Sequence, residues 1–395
     1  DMVARKHSPG RGWTSAIACK TLLTRVQHDP FATAAFRMSR PTSAFIDTQA
    51  FVANYRYAKS LAPGARALAV VKANAYGHGA VVLTRALADE ADAFGVACSE
   101  EAMELRESGV RNPIVLLEGA FDPAEIDQAA AQGFTLVIHT PTQLDWLLAA
   151  RPVQPLGVWL KIDTGMHRLG FPPDQLAAAH ARLAASPNVR GIVVMTHFAR
   201  ADEPHDAATD RQLTRFAAAT DGIGGPFSLA NSAAILNWPA TRADWVRPGI
   251  MLYGSSPFGE PHSAAAALAP VMRLESRLIA IHDLAAGESV GYGGRFTCER
   301  PTRVGVVAIG YADGYPRHAP DGTPVAVNGR IVPLIGRVSM DMLTVDLNTQ
   351  PEAKIGDPVQ LWGDIVSANE VARRSGTIAY ELFTGVTRRV HLVYR

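Results

Sequence analysis

Residues 67–79 read ALAVVKANAYGHG, a continuous apolar run that ends in a lysine and a turn rich in small residues. An uninterrupted apolar run of this length is typical of a strand that is buried on both faces. Seven more such runs follow, and each gap between two runs can hold an amphipathic helix. Eight alternating units predict a (β/α)8 TIM-type barrel rather than an open doubly wound sheet. The predicted strands cover residues 67–71, 93–97, 113–118, 134–139, 156–162, 191–197, 226–230 and 244–254.

The chain after Pro270 has a different texture, with short apolar runs and turn signals close between them. Asn328 and Gly329, which stand between VAV and IV, are a strong signal for a type I′ hairpin. We therefore expect an α/β barrel over residues 38–268 and a smaller, mainly β C-terminal domain over residues 269–395.

The first 37 residues are expected to stand apart from both domains. They carry six basic and two acidic residues, so their net charge is +4 and the rest of the chain is about −3. Lys20 interrupts the apolar stretch that a signal peptide would need, and a transit peptide is only weakly indicated. We interpret residues 1–37 as a basic, disordered extension or an upstream translated segment, with Met38 as the natural start.

The composition argues against several classes of function. A net charge of +1 gives no reason to expect nucleic acid or an anionic membrane as a partner. No apolar run reaches the ~20 residues that a membrane span needs. The three cysteines, Cys19, Cys98 and Cys298, form no zinc-binding pattern and fit a reduced compartment. We expect a soluble, cytoplasmic protein without a bound metal.

Polar residues recur at the ends of the predicted barrel strands, where barrel enzymes place their reactive groups. A random scatter would not be so regular, so we predict a single site there. Burial at a strand end disfavours the ammonium form of a lysine and leaves a nucleophilic amine. A lysine whose stem merely snorkels along the surface is the alternative. The residues at these ends are Lys72, Lys161, His197, Asn231, Ser232 and Arg247.

The string VVKANAYGHG, residues 70–79, resembles the PLP-lysine signature of bacterial alanine racemases. The match is contiguous and therefore specific, and the resemblance extends over residues 38–395. It implies a barrel followed by a β domain, with pyridoxal 5′-phosphate (PLP) as the cofactor. Further matching blocks are KIDTGMHRLGF, THFARAD, LANSAA, RPGIMLYG, GYGGRF, IGYADGYPR, GRVSMDM and YEL.

The resemblance assigns the cofactor to residues from several strand ends. Lys72 would attach PLP covalently and then act as the base on the D face of the substrate. The phosphate would be held by hydroxyl and backbone N–H groups, which suit an anion at a helix N-terminus. An N-cap role for Asn231 and Ser232 is compatible with this, since both roles use the same amides. The expected cofactor ligands besides Lys72 are Tyr76, Arg168, His197, Asn231, Ser232, Arg247, Gly249, Ile250 and Tyr380.

Arg247 is implied to hydrogen-bond the pyridine nitrogen, where many PLP enzymes use a carboxylate. A guanidinium keeps its proton, so it would weaken the electron sink and suppress side reactions such as transamination. Tyr292, in SVGYGGRF, would come from the partner subunit of a homodimer and act as the base on the L face. A phenol titrates at about 10, so a relay from Tyr292 through His197 to Arg247 is expected to help it. By itself, a tyrosine between glycines is more typical of a packed turn.

Lys161 and Arg168 lie close together in KIDTGMHR, although two buried like charges repel each other. The resemblance implies that Lys161 is carbamylated, which would give an anion able to hold Arg168 beside the cofactor and the substrate carboxylate. An unmodified Lys161 paired with Asp163 or with an anion is the alternative. Met340 and Asp341 resemble the loop whose methionine N–H binds the substrate carboxylate.

The residues that match the family's substrate entryway leave room for little more than a methyl side chain. The expected activity is therefore PLP-dependent interconversion of L- and D-alanine, either supplying D-alanine for peptidoglycan or serving alanine catabolism. A racemase of another small amino acid, such as serine, is one alternative. A non-catalytic PLP-binding barrel protein is another, but it would lack the β domain that brings Tyr292. A barrel-type decarboxylase is disfavoured, because its glycine-triplet loop and late catalytic cysteine are not found. The entryway residues are Tyr311, Asp202, Arg317, Arg337 and Ile378, together with Tyr292 and Tyr380.

Overall fold

The computed structural model describes residues 39–395, so the extension expected for residues 1–37 lies outside the described residues. Eight parallel strands close into a barrel, because the last strand pairs with the first and places Trp245 opposite Arg66. Each predicted apolar run overlaps one of these strands, which confirms the (β/α)8 barrel. Numbered after β1 (Ser43–Ile46), the barrel strands are β2 (Arg66–Val70), β3 (Ala93–Val96), β4 (Ile114–Leu116), β5 (Thr135–Ile138), β6 (Leu156–Lys161), β7 (Val189–Met195), β8 (Phe227–Asn231) and β9 (Trp245–Arg247).

Helices alternate with the barrel strands, and several begin at caps that the sequence supplies. Asp47 caps the first helix, because its carboxylate accepts the N–H groups of Gln49 and Ala50, each at 2.9 Å. Thr140 caps the sixth by accepting the N–H of Gln143 at 3.2 Å. None of the helices within residues 39–395 is long and apolar enough to cross a membrane. The helices are α1 (Thr48–Leu61), α2 (Lys72–Tyr76), α3 (Ala80–Ala86), α4 (Ser99–Glu107), α5 (Ala124–Gln132), α6 (Pro141–Ala149), α7 (Leu176–Ala184), α8 (Ala208–Ala219), α9 (Ser232–Asn237), α10 (Ala368–Arg374) and α11 (Ala379–Thr384).

A mixed sheet of eight strands follows the barrel and confirms the mainly β second domain. Its strands beyond the barrel are β10 (Met272–Leu284), β13 (Thr302–Val307), β14 (Pro324–Val327), β15 (Arg330–Pro333), β16 (Leu343–Asp346), β17 (Pro358–Trp362) and β18 (His391–Tyr394), with a separate pair formed by β11 (Ser289–Val290) and β12 (Phe296–Thr297). Asn328 and Gly329 both have positive φ and form the predicted hairpin between β14 and β15. The strand β1 pairs with β10 and β18, so residues 43–46 belong to this sheet rather than to the barrel.

A separate apolar cluster fills the interior of the barrel. It takes one buried side chain from each of seven barrel strands, including Leu68, Trp159, Met195 and Trp245. The guanidinium of Arg66 lies 4.3 Å from the centroid of the Trp245 ring and covers it. Because this cluster packs the inside of the barrel, reactive polar groups are left to the carboxyl ends of the strands.

Candidate active site

Lys72 follows β2 closely and opens a short turn with a left-handed backbone. The φ angles of Ala73, Asn74, Ala75 and Tyr76 lie between 47° and 53°, a conformation that costs a non-glycine residue about 1–2 kcal/mol. Such strain persists only where the surroundings hold it, and it concentrates at functional sites. The turn therefore fixes the directions in which Lys72 and Tyr76 leave the barrel.

Side chains from neighbouring segments hold this turn in place. The carboxylate of Glu101 accepts the N–H of Ala73 at 2.6 Å and the N–H of Ala97 at 2.7 Å. Glu101 thereby ties the segments after β2 and β3 to each other. The side-chain oxygen of Asn74 accepts the N–H of Ala80 at 2.8 Å, which fixes the far end of the turn.

A cradle of hydroxyl and amide groups forms where Tyr76 meets the segments after β8 and β9. The N–H of Gly249 donates to Oγ of Ser232 at 2.8 Å, and a Cβ on Gly249 would lie 2.9 Å from the Tyr76 hydroxyl oxygen. Any larger residue at position 249 would therefore crowd the Tyr76 hydroxyl. Asn231 caps α9 by accepting the N–H of Ala234 at 3.0 Å. Hydroxyls and helix-start amides in this arrangement suit an anion such as a phosphate.

Tyr380 completes the aromatic wall of this cradle. Its ring centroid lies 5.7 Å from that of Tyr76. Burial raises the pKa of Tyr76 to about 12 and also raises the pKa of Tyr380. Both phenols therefore keep their protons at neutral pH and can donate hydrogen bonds to an anion. Ile250, which is buried, opens the short 3-10 turn directly after Gly249.

Arg247 is buried at the end of β9, and its guanidinium is fixed on several sides. Nη1 donates to Oγ of Ser228 at 2.7 Å. Nη2 donates to the carbonyl oxygens of Thr196 at 2.6 Å and Leu229 at 3.1 Å. Nη2 also lies 3.3 Å from Nδ1 of His197. A guanidinium can only donate, so Nδ1 of His197 is the acceptor in this contact.

Burial and the contact with Arg247 together decide the protonation state of His197. Burial, followed by the positive charge of Arg247, holds the pKa of His197 well below its usual value of 6.5. The imidazole is therefore neutral, and its single proton is on Nε2 because Nδ1 accepts from the arginine. His197 thus presents an N–H donor on the side of the ring opposite Arg247.

Lys161, at the end of β6, lies among positive charges. Burial and, after it, the charges of Arg247, Arg168 and Lys72 in that order lower its pKa to about 8. The carboxylate of Asp163 is occupied elsewhere, because it accepts three N–H groups of the following turn at 2.9–3.0 Å. Within residues 39–395, no ion pair joins Lys161 to Asp163. A negative group on Lys161 would relieve this repulsion.

Within the part of the chain that the structure describes, Tyr292 makes no hydrogen bond to Lys72, His197 or Arg247. Its side chain is 70% exposed and lies on a turn after β11. The predicted contact between His197 and Arg247 is present in the single chain. The predicted contact between Tyr292 and His197 is not, and it remains a prediction about two subunits.

The segments that carry Tyr311 and Met340 are joined to each other. The N–H of Tyr311 donates to the carbonyl oxygen of the residue before Met340 at 3.0 Å. The carboxylate of Asp341 pairs with Arg389 at 2.6 Å, so it holds the loop. The guanidinium of Arg317 lies 6.0 Å from the centroid of the Tyr311 ring. Met340 itself is 52% exposed, which leaves its surface free for a ligand or a second subunit.

Two supporting side chains were not predicted from the sequence. Glu101 lies in the first turn of α4, and of its two backbone partners Ala97 is four positions away but Ala73 is 28 positions away, so no local signal indicates the contact with Ala73. Ser228 stands inside the apolar run PFSLA and accepts from Arg247. A polar residue within a buried strand is the signal that could have identified Ser228.

The chain matches the models of both domains of one protein family. Residues 46–257 match the alanine racemase N-terminal domain, and residues 271–394 match the alanine racemase C-terminal domain. The chain is 54% identical to a catabolic alanine racemase of Pseudomonas aeruginosa, over 90% of this chain and 99% of that protein. It is 56% identical to an alanine racemase of an Azoarcus species, over 89% of this chain and 98% of that protein.

Solved structures agree with these matches. The biosynthetic alanine racemase from Pseudomonas aeruginosa superposes with a TM-score of 0.88 at 52% identity, covering 90% of this chain and 99% of that one. The alanine racemase from Bartonella henselae, solved with covalently bound pyridoxal phosphate, superposes with a TM-score of 0.82 at 31% identity, covering 90% and 99%.

Proposed function

This chain belongs to the alanine racemase family, and we propose that it interconverts L- and D-alanine with two bases on opposite faces of the substrate. Lys72 is the base on the D face, and the partner subunit's Tyr292 is the base on the L face. The single observation that carries this mechanism is the buried guanidinium of Arg247, which fixes His197 as a neutral donor. Such a donor can assist a phenol that must lose its proton.

The cofactor of this reaction is PLP, and the cradle beside Lys72 fits it. Tyr76 and Tyr380 supply protonated hydroxyls, and the glycine at position 249 gives an anion close access to backbone amides. Asn231, Ser232 and Ile250 add the remaining polar groups around the phosphate. When bound, PLP supplies the electron sink that accepts the electron pair left when the substrate Cα loses its proton. Lys72 would hold the cofactor covalently between turnovers.

Racemisation of alanine breaks one Cα–H bond and forms another on the opposite face. In the direction from L to D, the oxygen of the partner subunit's Tyr292 takes the proton from Cα. The ammonium form of Lys72 gives a proton to Cα on the other side and becomes the free amine. In the reverse direction the two groups exchange roles, so no net proton is gained or lost.

The catalytic tyrosine needs help because a free phenol titrates at about 10. The Nε2–H of His197 is oriented to donate to the phenolate oxygen as it forms, and this stabilises the anion. Arg247 keeps His197 in the tautomer that can donate. Arg247 also puts a permanent cation where it opposes protonation of the cofactor ring, which limits side reactions.

Lys161 is proposed to carry a carbamate. Its free amine attacks the carbon of CO2 and releases one proton. Together with the proton lost when the ammonium becomes the free amine, two protons leave, and a buried cation becomes an anion. The lowered pKa of Lys161, about 8, raises the fraction of free amine available for this step. The resulting anion would hold Arg168 near the substrate carboxylate. An unmodified Lys161 paired with Asp163 is less well supported, because Asp163 is already bound to the backbone.

The substrate is proposed to be no larger than alanine. Met340 offers a backbone N–H to the substrate carboxylate, and Asp341 positions that loop through Arg389. Tyr311 and the other entryway residues narrow the approach. A racemase of serine is the second candidate, and comparing rates on L-serine and L-alanine separates the two.

The setting of the reaction is part of the proposal. We place the enzyme in the cytoplasm as a homodimer, and the free thiols of Cys98 and Cys298 are consistent with a reducing compartment. Relatives named catabolic and biosynthetic are both similar to this chain. The two roles therefore remain alternatives.

One experiment tests the cofactor and the reaction separately. The visible absorbance spectrum, taken before and after borohydride reduction, should report PLP attached to Lys72, and peptide mapping should locate it there. Circular dichroism of L-alanine should then decay to zero as the racemic mixture forms. An intact cofactor spectrum without optical decay would refute the racemase and favour a non-catalytic PLP-binding protein.

A further inference from the structure

His78 is buried directly beside the left-handed turn and has no part in the mechanism above. Its exposed fraction is 0%. Nδ1 lies 2.9 Å from the carbonyl oxygen of Tyr76 and 3.1 Å from that of Ala75. The ring packs between Tyr253 and Phe383, with centroid distances of 4.7 Å and 4.9 Å. The side chain therefore folds back onto the turn that carries the phosphate tyrosine.

The surroundings of His78 fix its protonation. A carbonyl oxygen can only accept, so Nδ1 carries the proton and donates to both carbonyls. Nε2 is buried and has no hydrogen-bond partner among residues 39–395. Burial lowers the pKa of His78 to about 4, so the ring stays neutral at physiological pH. His78 is thus a permanent single donor aimed at the backbone of the turn.

We propose that His78 is a positioning residue that clamps the carbonyls of Ala75 and Tyr76, and thereby holds the Tyr76 hydroxyl at the cofactor phosphate. The inference rests on the proposed function, because it requires a phosphate in the cradle. In the left-handed backbone, these carbonyls do not belong to an ordinary right-handed helix. The Ala75 carbonyl also accepts the backbone N–H of His78 at 3.0 Å, so the Tyr76 carbonyl is the one that depends on the imidazole donor. The hydroxyl of Tyr76 then stays at the close approach to Gly249.

The competing explanation is that His78 only fills space between Tyr253 and Phe383. The two roles predict opposite rankings of variants. H78F keeps an aromatic ring and loses the donor, whereas H78N loses the ring and keeps an amide N–H near the place of Nδ1. H78L loses both. If His78 is a clamp, H78N should retain more of the binding to the cofactor phosphate than H78F does. If His78 only fills space, H78F should retain more.

The test compares the dissociation constants of PLP and pyridoxal, which lacks the phosphate, for the full chain freed of cofactor. The ratio of the two constants isolates the phosphate contribution. We expect H78F and H78L to lower this preference for PLP about tenfold, because the carbonyl of Tyr76 loses its donor. H78N should keep the preference within about threefold of the wild type. F383L, which alters the packing against the ring without touching the donor, is the matched control and should lower thermal stability alone.

A double variant connects the effect to Tyr76. Y76F removes the tyrosine hydroxyl that is proposed to contact the phosphate. Adding H78F to Y76F should therefore cause no further loss of the preference for PLP. If H78F does not fold, the comparison of H78N with H78L decides the same question, since both lack the ring. An unchanged preference in every variant, or equal losses in H78N and H78L, would overturn the inference. A wild-type protein that binds PLP no tighter than pyridoxal would instead overturn the proposed phosphate site, and the inference with it.

Discussion

Replacing Arg247 by lysine keeps a positive charge at the end of β9 but removes the planar fork that the structure uses. The guanidinium donates from two nitrogens to Ser228, Thr196 and Leu229, and it also donates to His197. A lysine has one nitrogen, which cannot reach acceptors on both sides of the fork.

The cost follows from the acceptors that are left without a donor. We expect two of the four contacts to be lost, and each buried acceptor without a donor costs about 1–3 kcal/mol. R247K should therefore lower the free energy of unfolding by about 2–6 kcal/mol. Urea denaturation of the holoenzyme at one fixed protein concentration measures this difference. The fixed concentration matters, because a dimer gains apparent stability with concentration.

A second arginine provides the matched control. Nε and Nη2 of Arg242 both donate to the single carbonyl oxygen of Ile235. One lysine nitrogen can satisfy that acceptor, so R242K should cost less than about 1 kcal/mol. Racemisation should fall in R247K, because His197 loses the donor that fixes its tautomer, and should be unchanged in R242K. Equal stability losses in the two variants would refute the claim that the fork of Arg247 is what the site requires.

Three further outcomes follow from contacts in and around the site. E101Q keeps one acceptor and loses the other, so it should lower the free energy of unfolding by about 1–2 kcal/mol in urea; no change would show that Glu101 does not hold the turn. G249A places a methyl group 2.9 Å from the Tyr76 hydroxyl and should weaken PLP binding at least tenfold, as measured by fluorescence titration. The control is G259A, which should bind PLP normally because its added methyl group meets nothing within 4 Å. The pKa of Lys161 is lowered from 10.5 to about 8, so the unfolded state binds more protons between these pH values and stability rises with pH there. In buffer freed of CO2, K161M should therefore raise the free energy of unfolding by about 2–3 kcal/mol at pH 7, and this increase should fade toward pH 10.5. An increase that does not depend on pH would contradict the lowered pKa of Lys161.

The barrel could be predicted because its signal is local and repeated. Each of the eight apolar runs is long enough to mark a strand buried on both faces, and the helices fill the gaps between them. The hairpin at Asn328 and Gly329 was equally local, since those residues tolerate positive φ. The place of β1 could not be predicted in this way. Its pairing with β10 and β18 joins residues more than two hundred positions apart.

The site shows the same division between local and distant signals. Lys72, His197 and Arg247 could be found because the barrel fold brings strand ends together. The left-handed turn after Lys72 could not, because Ala73 and Ala75 have no preference for that backbone. The carboxylate of Glu101 and the ring of His78 stabilise the turn through contacts that no sequence period encodes.

The sharing of one active site between two subunits is the central claim, and it can be measured by mixing. K72A removes one base and Y292F removes the other, so each homodimer lacks a complete site. Dissociating the two variants together and reassociating them creates hybrid dimers with one intact site. We expect racemisation of L-alanine, followed by circular dichroism, to return to about a quarter of the wild-type activity per subunit. A mixture that stays as inactive as the separate variants would contradict a site built from Lys72 of one subunit and Tyr292 of the other.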